Sequence, residues 1–286
     1  MSDNEQPLND SGPDNETPPE EKAPAAPSSR PEPPPMPPSD REAAEFPDGF
    51  LGSVDYMLHH PEEIVESMRR DRDLSKLSQV FFLIALAMSA LYGAVMGATN
   101  LLQGSVMSFD AKLLMIVVSG VKVPMLFLLT LLIVLPPIYV SNALVGGKMS
   151  FRQVLAILLA ATAIMSTILA SMASVALFFS LTSTSYHFLK LLHVLFFLYA
   201  GLVGVGYCEK SIRAIGAGRT RARTPARTPA WVFMIWLLLY MFVGTQLAWV
   251  LRPFVGSPNM EFQFFRPRYG NFYESVLQSI RNLTEE

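Results

Sequence analysis

The chain reads as an all-α integral membrane protein: a five-transmembrane-helix bundle with a disordered N-terminal tail and surface amphipathic helices. Three observations predict this. Two long apolar segments, Lys122 to Val145 and Val154 to Leu181, flank the turn Gly146-Gly147-Lys148-Met149-Ser150-Phe151-Arg152. Each exceeds the roughly 20 apolar residues a helix needs to cross a bilayer core about 30 Å thick. Three further apolar stretches bring the expected spans to residues 79–99, 123–145, 154–181, 186–207 and 231–251. Charge divides the chain as well: residues 1–48 carry twelve Asp/Glu against Lys22, Arg30 and Arg41, whereas the remainder is net basic by seven.

The tail, residues 1–48, holds 13 of the 22 prolines and almost nothing apolar before Phe46. Such a segment cannot bury enough surface to offset the entropy of ordering, about 1–2 kcal/mol per residue for the backbone alone. It is expected to be disordered with local polyproline II character, either as a solvated spacer or as a docking tail for a partner with a Pro-binding groove. The first thirty residues have no basic start and no apolar core, so the first membrane helix is expected to act as the targeting signal. The lone cysteine, Cys208, allows no intrachain disulfide and no thiolate metal cluster, and no cofactor is expected.

Between the tail and the first span, residues 49–78 place Phe50, Leu51, Val54, Met57 and Leu58 at helical spacing. Pro61 then sits at a favoured first-turn position ahead of Ile64, Val65 and Met68. Two short amphipathic helices follow, lying along the membrane surface or against the bundle.

In the region of the second span, the run Leu113 to Val118 is too short to cross alone and reads as a tilted or interfacial lead. Lys122 and Pro124 then mark the helix start, because a lysine at mid-membrane costs about 2.5–3.5 kcal/mol whereas one near an interface can snorkel. Lys122 is thus either an interface anchor or an intramembrane functional charge. Pro136-Pro137 removes two amide donors and bends the span, as a fixed bend or as a hinge. The third span is rich in small residues, and the spacing of Ala163, Thr167, Ser171 and Ser174 predicts a strip for close helix packing at the bundle centre. On the fourth span Ala200 and Gly204 have the same spacing, and His187, Lys190 and His193 share one face as a proton or anion relay or as interfacial polar groups. The fifth span carries Trp231, Trp236, Tyr240 and Trp249, with aromatic anchors at both ends.

Twelve Lys/Arg fall on the N-terminal side of the spans, among them Arg69, Lys148, Arg152, Lys210 and Arg213, which predicts a cytoplasmic N-terminus and an external C-terminus. In the loop between the last two spans, Arg219, Arg221, Arg223 and Arg227 suit anionic lipid headgroups, at about 1 kcal/mol per basic residue, better than nucleic acid, so no nucleic-acid partner is expected. The last segment, residues 252–286, is too aromatic for a free tail. Asn271 and Glu274 form a candidate capping box, opening a helix with Phe272, Val276, Leu277, Ile280 and Leu283 on one face. This helix is expected to lie on the outer surface across the bundle mouth as a lid, with Gln246, Arg252 and Arg266 the nearest polar groups.

His60-Pro61-Glu62-Glu63-Ile64, Leu91-Tyr92-Gly93 and Gly146 to Leu155 together resemble the bacterial relatives of the Yip family of small multi-pass membrane proteins. The resemblance implies five spans, a cytoplasmic N-terminus and residence in a bacterial inner membrane. The Asp-Leu-Tyr-Gly-Pro signature of eukaryotic members is absent, so their GTPase binding does not carry over, and no family site residue maps to this chain. The spans hold no Asp or Glu and no nucleophile with a base beside it in sequence, so no catalytic site and no metal site is expected. The expectation is a non-enzymatic scaffold or adaptor that assembles with itself or with a protein partner. The alternative is a homo-oligomeric channel or small-solute transporter subunit, with Lys122, Lys190 and His193 near its path.

Overall fold

A computed structural model describes residues 47, 49–71, 73–102, 108–144, 149–183, 185–217, 230–252, 254, 264 and 270–285. Among these residues are eight helices and no strands: α1 (Phe50–His59), α2 (Pro61–Arg69), α3 (Leu74–Leu102), α4 (Phe109–Leu144), α5 (Phe151–Thr182), α6 (Tyr186–Ala217), α7 (Ala230–Leu251) and α8 (Phe272–Glu285). Most of the acidic tail, the turn Gly146 to Lys148, and Arg219, Arg221, Arg223 and Arg227 lie outside the described residues.

Helices α3, α4, α5 and α6 are long and apolar enough to cross a membrane. Their outward faces are apolar too: Leu113, Val117, Val121, Met125 and Leu132 run down α4, and Leu195, Leu198 and Leu202 down α6, all exposed. A continuous apolar surface of this kind is tolerable in lipid and not in water, which makes the chain an integral membrane protein. Within α7, a 22-residue helix, the described apolar stretch is shorter, Leu238–Leu251.

Two sequence expectations need correction in α4. The run Leu113 to Val118 is not a separate segment, and Lys122 and Pro124 do not open the helix; all lie inside one helix that begins at Phe109. The physical reason is local. Pro124 removes only its own amide donor, and Lys122 finds a partner described below, so neither residue forces the helix to end. Pro136 and Pro137 are also interior, and nearby Ser141 donates to the Pro137 carbonyl at 2.7 Å.

Helix α5 is the central element, packed on α3, α6 and α4, and α3 also lies along α4. Glycines set these approaches. A Cβ on Gly97 would sit 2.6 Å from the Met115 carbonyl oxygen, and one on Gly93 would collide with the Ser119 carbonyl. These two positions, four apart on α3, bring its backbone against α4 as small-xxx-small pairs do in lipid. On α6, Gly204 lies against Ala161 and Met165, and Ala200 is fully buried. The predicted small-residue strip on α5 is interrupted: Ala163 is fully buried and Thr167 half-buried, but Ser171 and Ser174 are exposed. Their hydroxyls turn back to the Ile168 and Ser171 carbonyls, so the buried face continues instead through Ser166, Leu169, Ala173 and Ala176.

One end of the bundle is closed by α1 and α2. Met57, Ile64 and Met68 are fully buried in a cluster with Leu77, Ile157 and Ile215, while Leu51 and Leu58 of the predicted stripe remain exposed. A polar staple fixes this cap. Ser150 and Gln153 form a reciprocal capping box at the start of α5, and the fully buried Gln153 also donates from Nε2 to the Met68 carbonyl at 2.9 Å. The last turn of α2 is thereby joined to the first turn of α5.

Candidate functional site

At the opposite end, the start of α6 meets α8. Asn271 and Glu274 make the predicted capping box in both directions, at 2.9 and 3.2 Å. The helix they open turns its serines toward the bundle and leaves much of its apolar face outward. Ser279 is buried and Ser275 half-buried, whereas Leu277 is 61% exposed, Ile280 is exposed, and Phe272 and Val276 are half-buried. The side chain of Leu283 lies outside the described residues.

Lys190 accounts for the rotation. Its ammonium group donates to the Ser275 carbonyl (3.0 Å), to Ser275 Oγ (2.6 Å) and to Ser279 Oγ (2.9 Å). A lysine has three donors, and all three are satisfied by one edge of α8. Leaving a charge in apolar surroundings without such acceptors costs more than exposing two aliphatic side chains at a lipid surface. One turn earlier on α6, His187 Nε2 pairs with Asn282 Nδ2 at 3.2 Å. The α6 face that carries His187 and Lys190 is thus the seat of α8.

His193 does not join that seat. It is buried against α3, where its Nδ1 and the Tyr92 hydroxyl lie 2.7 Å apart with the rings edge to face. Nearby Phe197 packs on the same Tyr92 ring. Lys122, only 3% exposed, donates to the Phe264 carbonyl and lies 4.9 Å from the centre of that ring. Ser119, one turn away on α4, donates to the Phe254 carbonyl at 2.7 Å. The half-buried Arg252 stacks 3.5 Å over the Trp249 ring, close enough to Lys190 for the two charges to interact. Gln246 is half-buried on α7, and Arg266 lies outside the described residues.

The structure therefore separates the predicted polar set. Lys190 holds α8, Lys122 binds Phe264, and His193 belongs to a pair inside the bundle. The partners Tyr92, Ser119, Ser275, Ser279 and Asn282 carry no sequence signal for these roles, since Tyr92 and His193 are 101 positions apart and Lys190 and Ser279 are 89 apart. Chemically, the Lys190 ammonium group meets neutral carbonyl and hydroxyl oxygens, an arrangement that orders α8. Among the described residues no three His, Cys, Asp or Glu gather as a metal ion would require. Comparison with protein-family models, with curated proteins and with solved structures finds no match to this chain.

Proposed function

We propose that the protein is a non-enzymatic membrane scaffold or adaptor that assembles with itself or with a protein partner through its bundle and its cytoplasmic tail. The observation that carries this is the use of Lys122 and Lys190. A transporter would present such charges to a water-filled path, whereas here both bind the C-terminal segment as fasteners. In this reading α7 is the fifth span, since 22 helical residues extend about 33 Å at 1.5 Å per residue. The α1–α2 cap then lies on the cytoplasmic side and α8 outside, in a bacterial inner membrane, with the likeness to Yip-type proteins extending to layout. Arg219, Arg221, Arg223 and Arg227 would contact anionic headgroups on the cytoplasmic face.

The test is native mass analysis of protein extracted gently from its own membrane, compared with a form lacking residues 1–45. A protein co-purifying at fixed stoichiometry and lost on truncation, with insertion unchanged, supports an adaptor. The rival reading, a homo-oligomeric channel, draws on the exposed Ser171 and Ser174 of α5. Solute flux into liposomes that disappears with Lys122→Ala would favour it and would contradict the scaffold.

A further inference from the structure

Lys190 is a half-buried cation whose donors are satisfied but whose charge is not. Its acceptors are the Ser275 carbonyl and the Ser275 and Ser279 hydroxyls, all neutral. Among the described residues no carboxylate pairs with it. Glu274, the acidic residue in the first turn of α8, is exposed and accepts from the Asn271 amide instead. Arg252 adds a second positive charge close to Lys190. One turn earlier on α6, the half-buried His187 lies under the same helix, with its Nε2 against Asn282 Nδ2. An amide nitrogen only donates, so Nε2 accepts and the ring proton sits on Nδ1, a buried donor with no hydrogen-bond partner.

Helix α8 thus lays neutral side chains over donors that suit an anion. A charged acceptor binds an ammonium group about twice as strongly as a neutral one. Residues three apart on a helix face are neighbours, about 5–6 Å between Cβ atoms, a gap that the several oxygens of one phosphate can bridge. The hold of α8 is light enough to yield: Ser279 is the one fully buried side chain among its described residues, and Leu277 and Ile280 face outward. We propose that α8 is a displaceable strap over a latent phosphate site on α6, where Lys190 and His187 bind a phosphate group, free or on a lipid headgroup. Ser275, Ser279 and Asn282 occupy that site when the strap is closed. Strap and phosphate compete for the same donors, so the apparent affinity is the intrinsic one reduced by the fraction of open α8.

The experiment uses full-length protein and two phosphate sources. Inorganic phosphate is offered in an uncharged detergent against chloride at matched ionic strength, with binding read by equilibrium dialysis. An anionic phospholipid is offered in nanodiscs against phosphatidylcholine alone. Hydrogen exchange follows α8 in both. A response to inorganic phosphate assigns the site to the free ion, and a response only in anionic nanodiscs assigns it to a headgroup. The source that acts should strip α8 of its protection while α2 keeps its own. Ser275→Ala with Ser279→Ala weakens the strap and spares the site, so half-saturation should need on the order of tenfold less of that source. If this variant does not fold, Ser279→Ala alone should shift affinity the same way by about threefold. Lys190→Met also frees α8 but should bind neither source. An affinity unchanged or lowered by the serine substitutions, a phosphate source that protects α8, an equal effect of chloride, or no response to either source would each overturn the proposal.

Discussion

At the α1–α2 end of the bundle, Met57, Ile64 and Met68 are fully buried and a single side chain, Gln153, supplies the polar staple. At the α8 end the balance reverses: Lys190 and Lys122 bind carbonyls and hydroxyls while Leu277 and Ile280 remain exposed. Both caps are amphipathic, so composition does not decide between the two modes. The surface beneath does. Where the bundle presents aliphatic side chains, the cap buries its apolar face, and where it presents ammonium groups, the cap turns its serines inward. The first mode draws on burial and resists local opening, whereas the second depends on a few directional bonds and can open by itself.

The comparison breaks most readily at Met68. Met68→Ala should lower unfolding stability in detergent by about 3 kcal/mol, because a fully buried side chain leaves a cavity. A loss within the scatter of surface substitutions would mean that α2 is only lightly docked. Gln153→Leu comes next, at about 2 kcal/mol, since the Met68 carbonyl and the Ser150 amide lose their partner in a dry setting. Proteolysis near α2 should accelerate in parallel. Lys190→Met should cost about 1.5 kcal/mol, confined to α8, with the melting of the bundle little changed.

The smallest effect is on acidity and separates the caps cleanly. Hydrogen bonds from Arg69, assisted by Arg70, hold the Glu66 carboxyl down at about 2 against an ordinary value of 4.5. A carboxylate lowered on folding stabilises the fold above its unfolded value and loses that contribution as pH falls through the folded one. The docking of α2 should therefore be constant down to about pH 4.5 and weaken toward pH 2, as read by limited proteolysis. Added salt should weaken the same exposed pairs and leave the Lys190 bonds unaffected.

Apolar runs made α3, α5 and α6 legible in the sequence, because a bilayer leaves a helix few alternatives. The start of α4 was not legible, since the cost of Lys122 was weighed without Phe264, which lies 142 positions away. The capping box at Asn271 could be read from neighbours three residues apart, but the rotation of α8 could not. Periodicity grouped its apolar residues on one face, while Lys190 on another helix is what turns its serines to the bundle. The close approach of α3 to α4 had a visible signal in the four-residue spacing of Gly93 and Gly97, which the many Ala, Ser and Thr residues of α5 obscured.

The most direct measurement is residue-resolved hydrogen exchange in lipid nanodiscs, comparing α2 and α8 in the wild type and in Lys190→Met. If a cation fastens one cap and buried aliphatics the other, α8 is protected in the wild type, loses most of that protection in the variant, and α2 is unchanged. Protection of α8 that survives loss of the ammonium group, or an α2 that opens with it, would contradict this account of the two ends.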